Sequence, residues 1–282
     1  MADGTGICWL ASFPKSGNTW TRILLSNLTA PDDLEQDAFV SLNGSISSNR
    51  PSFDSIAGLP SSDLTDDEID LLRPEIYREM ARTASKQLFT KVHDAFHLNT
   101  YGESIFPKDC SKGAIYLVRH PYDVAVSYAK HQGHSSFDKI IKQMNNTDHA
   151  MAGGNKSQLR QITSGWSGHF LSWHEQDAMP VLTLRYEDML EDTKACLLRM
   201  IDFLGLGTEY TDAEVTYAVE ASRFEKLQQR EAKIGFRERP ERAESFFRSG
   251  RSGEGREVLT RSQRDAIATT HKLVMDRLGY EP

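Results

Sequence analysis

Trp9-Leu-Ala-Ser-Phe-Pro-Lys15-Ser-Gly-Asn-Thr-Trp20 decides the reading of this 282-residue chain. The apolar run from Ile7 to Phe13 predicts a buried strand. Pro14 and Gly17 break it, and a helical pattern resumes with Trp20, Ile23, Leu24 and Leu28 on one face. A strand, a tight turn carrying Lys, Ser and Gly, and a helix together make an anion site. Backbone N–H groups at the helix N-terminus point at the anion, and the helix dipole favours its negative charge. The common nucleotide loop places Lys after its second Gly, as G-x-x-x-x-G-K-[ST]. Here Lys15 precedes Gly17, and no upstream Gly stands at the right spacing.

Three more strand–turn segments follow. Gln87 to His93 predicts a second strand, ending in Lys91 and His93, which period-2 geometry puts on one face. Strand C-termini line the ligand crevice of an α/β sheet, so this pair can supply a cation and a general base. Ala114 to Val118 predicts a third strand, followed by Arg119-His-Pro121-Tyr-Asp-Val-Ala-Val-Ser127. Pro121 suits the first position of a helix. Arg119 can hold a phosphate bidentately, and Ser127, two turns on, can add a hydroxyl. Met179 to Tyr186 predicts a fourth strand running into Glu187-Asp188. Pro240 to Glu257 is basic and glycine-rich, with Phe247-Arg248-Ser249-Gly250-Arg251-Ser252-Gly253 at its centre. Its glycines allow close backbone approach to a phosphate, and its arginines supply charge. Strands alternating with helices imply an α/β, P-loop-like three-layer fold: a mainly parallel central sheet of four to five strands flanked by helices.

The order P-K-S-G-N-T-W resembles the 5′-phosphosulfate loop of the cytosolic-type, small-molecule sulfotransferases that use 3′-phosphoadenosine-5′-phosphosulfate (PAPS). R-x-P-x-D-V-A-V-S from Arg119 to Ser127 is similar to the family's 3′-phosphate motif, and Arg185-Tyr-Glu-Asp188 to its R-Y-E-D segment. Ser222-Arg-Phe224-Glu-Lys-Leu resembles the S-F-E-K-M segment whose aromatic packs on the adenine. The Phe247–Gly253 loop resembles F-R-K-G-x-x-G, which closes over the 3′-phosphate. The likeness runs from residue 7 to about 256 in co-linear pieces. Two positions depart from it: Ser249 stands where Lys is usual and Gly255 where Trp is usual. The resemblance implies in-line transfer of a sulfuryl group from PAPS to a hydroxyl of a small-molecule acceptor, releasing 3′-phosphoadenosine-5′-phosphate (PAP). His93 is then the base. Lys15 and the N–H groups of Ser16, Gly17, Asn18 and Thr19 stabilise the leaving 5′-phosphate. Lys91 neutralises the sulfonate oxygens in flight. Arg119, Ser127, Arg248, Ser249 and Gly250 hold the 3′-phosphate, and Trp20, Tyr186, Ser222 and Phe224 frame the adenine. No metal is expected, because two lysines supply the positive charge.

The rest of the chain bounds this picture. Net charge is −7, which argues against a nucleic-acid partner and means that any anion is caught by local cations. Hydrophobic content of 39% and charged content of 26% suit a globular protein. Cys8, Cys110 and Cys196 are odd in number and far apart, as in a reducing compartment. With no signal-peptide pattern and no run of the ~20 apolar residues needed to span a bilayer, a cytoplasmic protein is expected. A single domain over 1–282 is expected, with acceptor-side insertions near 31–85 and 130–157. In the first, Phe39, Val40, Ile46, Phe53 and Ile56 recur among polar residues, and Ser62 or Thr65 can cap the next helix. In the second, His131, His134 and His149 match no standard metal-ligand spacing. A helix is expected from Ser157, with Leu159, Ile162, Trp166, Phe170 and Trp173 on its core face. Another runs from about Asp192 to Leu204, with Gly205 as C-cap. Thr211 with Glu214, and Thr260 with Gln263, predict capping boxes. Arg256 to Asp265 only loosely echoes the family's dimerisation motif, so a homodimer is left open. The acceptor (phenol, alcohol, lipid or sugar hydroxyl) is open too. Two other readings stand. A P-loop kinase predicts Mg²⁺ dependence and a strand-end Asp, and gives Arg119 and Ser127 no task. A binding module that has lost catalysis draws on the Ser249 and Gly255 departures, and the intact Lys15, Lys91 and His93 argue against it.

Overall fold

The computed structural model describes residues 6–29, 45–133, 136–154, 156–207, 209–239 and 245–282. Phe39, Val40, His134 and Pro240, and the first insertion as far as residue 44, lie outside them. In chain order the elements are β1 (Ile7–Ser12), α1 (Asn18–Thr29), α2 (Arg50–Ala57), α3 (Asp66–Thr83), β2 (Leu88–Val92), β3 (Ser111–Val118), α4 (Pro121–His131), α5 (Asp138–Asn145), β4 (Ala150–Met151), β5 (Gln161–Ile162), α6 (Gly165–Glu175), β6 (Val181–Arg185), α7 (Tyr186–Glu191), α8 (Thr193–Phe203), α9 (Asp212–Ala221), α10 (Phe224–Ile234), α11 (Glu254–Val258) and α12 (Arg261–Leu278). The main sheet is parallel with order β2-β1-β3-β6, as expected; β4 and β5 form a separate antiparallel pair. Among the described residues no helix is long and apolar enough to cross a membrane.

Contacts divide the chain into two units: Met1–Phe13, Gly44–Tyr116 and Asn146–Thr183 in the first, Pro14–Asn43, Leu117–Asn145 and Leu184–Pro282 in the second. In the first unit β1 is wholly buried, as its unbroken apolar sequence requires of a central parallel strand. It pairs in register with β2, Leu10 opposite Lys91 and Ala11 opposite Val92. Trp9 meets Tyr77 and Phe106 edge-on at 4.9 Å, and Phe106 lies 4.9 Å from Trp173. Arg73 crosses this core fully buried, ion-paired to Asp94 at 2.9 Å and to Asp70 at 3.2 Å. Thr65 is the α3 cap, in a capping box with Glu68.

The helix expected from Ser157 begins only at Gly165. Gln161–Ile162 is a strand, Leu159 donates its N–H to the Ser48 carbonyl, and Ser164 takes a left-handed backbone at φ 53. The aromatic stripe does hold from Trp166 to Trp173, and Leu159 packs instead with Phe53, Ile69 and Ile76.

The second unit is mainly helical. Both predicted boxes, Thr211 with Glu214 and Thr260 with Gln263, cap α9 and α12. Gly205 follows α8 with φ 71, one residue beyond the cap at Leu204. Ile23, Leu227, Phe236 and Phe247 form a core cluster on which Trp20, Phe224 and Phe246 pack.

Candidate active site

The turn after β1 is held in a conformation that few residues adopt. Lys15 sits at φ 71 and Gly17 at φ 103, and a left-handed lysine costs of order 1–2 kcal/mol of backbone strain. Gly17 has no substitute, because a Cβ there would stand 2.9 Å from the Tyr186 ring. Tyr186, at the start of α7, ties the surroundings together. The Arg119 guanidinium lies over its ring at 4.3 Å, and Trp20 meets it edge-on at 5.7 Å. Burial pushes its phenol pKa up. Arg119 donates to the Lys15 carbonyl at 3.4 Å and to the Arg251 carbonyl at 2.9 Å. The Lys15 ammonium lies 4.7 Å over Phe246 and 3.3 Å from Nδ1 of His131. Thr19 donates to Glu238, which also pairs with Arg22.

Among the buried atoms here without a hydrogen-bond partner among the described residues are the Ser16 hydroxyl and Nε of Arg119. Buried polar groups are rarely left unmade, so each marks a place where a ligand oxygen fits. Ser127, on α4, is half-buried. Trp20 donates its indole N–H to the Ser222 carbonyl at 2.9 Å. The Ser222 hydroxyl is fully engaged, accepting from Asn27 and donating to the Ala218 carbonyl.

The glycine-rich loop is pinned by carboxylates that the sequence did not single out. Asp123 accepts the N–H groups of Gly253 at 2.8 Å and Gly255 at 2.6 Å. Glu231 accepts those of Phe246 and Phe247 at 2.7 and 2.9 Å. Glu254 pairs with Arg248 and Lys130. Asp123 lies inside the R-x-P-x-D motif, which was its one local signal. At Gly255 a Cβ would meet the Tyr122 backbone at 2.4 Å, so a Trp could not stand there in this packing. Gly250, at φ 56, faces the Phe224 ring, which a Cβ would strike at 2.4 Å. Ser249 is half-buried between Arg248 and Gly250.

The first unit holds Lys91 and His93, both half-buried. Lys91 lies on β2 beside the Ser45–Ser47 stretch, bonded through its backbone. His93 Nδ1 is 2.8 Å from the carbonyl of Ser12, three residues before Lys15 in the chain. A carbonyl only accepts, so in the neutral ring Nδ1 carries the proton and Nε2 keeps the lone pair. His169 holds the backbone beyond: its Nε2–H donates to the His93 carbonyl at 3.2 Å and its Nδ1 accepts from the Tyr116 hydroxyl at 2.8 Å. Burial pulls the His169 pKa down to about 3. Among the described residues no three His, Cys, Asp or Glu side chains gather as a metal site.

Known proteins are similar to this chain. The chain is 25% identical to flavonol 3-sulfotransferase of Flaveria bidentis over 96% of this chain and 81% of that one. A solved mouse sulfotransferase, SULT7A1 complexed with PAP, superposes with a TM-score of 0.60 at 20% identity, covering 96% of this chain and 84% of the other. Retinol dehydratase in a complex with retinol and PAP superposes at 0.63 with 23% identity, covering 98% and 82%. The family profile described as the sulfotransferase domain matches residues 7–279, and the chain belongs to the sulfotransferase family.

Proposed function

We propose that this sulfotransferase moves the sulfuryl group of PAPS to a hydroxyl of a small-molecule acceptor by in-line displacement and releases PAP. The S–O bond to the 5′-phosphate breaks as the acceptor oxygen bonds to sulfur. Lys15 and the N–H groups from Ser16 to Thr19 take up the charge that gathers on the leaving phosphate. Arg119, Ser127, Arg248 and the backbone at Ser249 and Gly250 hold the 3′-phosphate. Trp20, Tyr186 and Phe224 frame the adenine, and Ser222 serves by fixing Trp20. His93 takes the acceptor's proton at Nε2, the ring nitrogen that bears the lone pair when Nδ1 donates to the Ser12 carbonyl. Lys91 meets the sulfonate charge, and no metal is required. The small molecules in the relatives' names, a flavonol for one and retinol in the complex of another, make a hydroxyl on a small, largely apolar molecule the expected substrate class. A single domain working in the cytoplasm belongs to the same reading.

What supports it most is the Ser16 hydroxyl, buried without a hydrogen-bond partner among the described residues in a loop bent into the left-handed region at Lys15 and Gly17, together with Arg119 Nε, likewise unpartnered, just after β3. Calorimetric titration of PAP against ADP without metal tests it. Tight PAP binding with weak ADP binding is expected. Equal binding, or binding only with Mg²⁺, would return the kinase reading.

A further inference from the structure

Around the glycine-rich loop of the second unit stands one more cation than the sequence motifs supply. Lys130 follows Ser127 by three residues on α4, so both leave the helix on the same side. Its ammonium lies 2.6 Å from one oxygen of Glu254, and Arg248 donates to the other oxygen of the same carboxylate. Glu254 is 5% exposed. Burial pushes its carboxyl up, but the bonds from Arg248 and Lys130 outweigh that and hold its pKa at about 2. One ionised carboxylate therefore keeps a lysine from α4 and an arginine from the loop side by side. Each has donors to spare, since an ammonium carries three N–H groups and a guanidinium five.

The charge count gives Lys130 its weight. Arg119, Arg248 and Lys130 face two carboxylates, Glu254 and Asp123, the latter 3.8 Å from Arg119. Arg251 is matched by Glu257 on the exposed side and adds nothing net. With Lys130 the cluster is positive by one charge. Without it the cluster is neutral, and nothing in it favours a phosphate dianion over water. Position 249, between Arg248 and Gly250, carries an uncharged serine.

We propose that Lys130 is a 3′-phosphate-binding residue of this chain and supplies, from α4, the cation that Ser249 does not supply from the loop. The proposal rests on reading this loop as the 3′-phosphate pocket. Glu254 is the positioning residue that holds Lys130 and Arg248 together. A phosphate monoester carries close to two negative charges at neutral pH and takes a hydrogen bond from each.

The test is calorimetric titration of the full chain with PAP and with AMP, which differ only in the 3′-phosphate. Lys130→Met is expected to weaken PAP about tenfold or more and leave AMP unchanged, as for loss of one hydrogen bond between charged groups. Lys130→Gln, which keeps a polar bond to Glu254 but no charge, is expected to behave like Lys130→Met. Adding Ser249→Lys to Lys130→Met is expected to restore most of the PAP affinity. Equal losses for both nucleotides, wild-type PAP affinity in Lys130→Gln, or no recovery with Ser249→Lys would each overturn the assignment and leave Lys130 as a strut for Glu254. A wild-type chain that binds PAP and AMP alike would instead remove the 3′-phosphate pocket itself. Thermal melts of each variant separate loss of folding from loss of binding.

Discussion

Gly250 and Gly253 offer a matched pair for testing the adenine side of the site. Both have left-handed backbones, φ 56 and φ 88, so a Cβ at either costs about 1–2 kcal/mol in conformation alone. At Gly253 that is the whole cost, because nothing lies within 4 Å of the added carbon. At Gly250 the carbon would stand 2.4 Å from Cγ and Cδ2 of Phe224 and 2.7 Å from Cδ1. Carbon pairs settle at roughly 3.5–4.0 Å, so the ring must retreat by about an ångström or more. Phe224 packs on a cluster of Ile23, Leu227, Phe236 and Phe247, which stands in the way of that retreat. Overpacking of this kind adds about 1–3 kcal/mol. Gly250→Ala is therefore expected to cost about 2–5 kcal/mol and Gly253→Ala about 1–2 kcal/mol. In a chain of this size each kcal/mol lowers Tm by about 2–4 °C. Scanning calorimetry on the two variants gives the difference directly. PAP titration gives the second readout: Gly250→Ala moves the proposed adenine support and loses affinity about tenfold or more, while Gly253→Ala stays within a few-fold. Equal Tm losses, or wild-type PAP affinity in Gly250→Ala, would refute the reasoning.

Other expectations follow from the same geometry. His93→Ala is expected to lower kcat by about 10²–10⁴ with PAP still bound, as for a general base; steady-state turnover near wild type would take His93 out of that role. Arg73→Met leaves Asp94 buried without its partner and is expected to destabilise the fold by about 3–5 kcal/mol in denaturant melts, whereas a loss under about 1 kcal/mol would mean the pair carries little. His169 is held neutral by burial, with its pKa lowered to about 3. A lowered folded pKa gives stability that is complete above the unfolded value near 6.5 and drains away as pH falls toward 3. Tm should therefore fall less steeply between pH 6.5 and 4 in His169→Gln than in wild type, and parallel curves would show that this ring does not drive the acid loss.

What the sequence made legible was local. Thr65, Thr211 and Thr260 cap their helices through partners three residues on, so four letters hold the whole interaction. β1 was readable because burial on both faces needs an unbroken apolar run. The anion loop was readable because its turn, its lysine and its helix start lie within a dozen residues. Asp123 was not, because the N–H groups it holds lie 130 and 132 residues away. His169 was equally hidden: it reaches the His93 carbonyl across 76 residues and looks like one more member of an aromatic helix. The helix expected from Ser157 shows the opposite failure. Leu159 and Ile162 fit its spacing, but Leu159 gives its N–H to Ser48 and is buried in the α2–α3 core instead. Periodicity reports that a residue is buried and leaves open which neighbour buries it.

The left-handed backbone at Lys15 sets the chain's stability against its chemistry at a single position. Glycine adopts φ 71 without penalty, so Lys15→Gly relieves about 1–2 kcal/mol of strain while removing the charge proposed to meet the leaving phosphate. A search for thermostable variants scored only by folding would be drawn to that substitution. Random drift without selection for turnover would be drawn the same way, so the lysine is a position that only function can keep. A stabilised but inactive chain with glycine at 15 is therefore the variant that directed evolution of this enzyme must screen against.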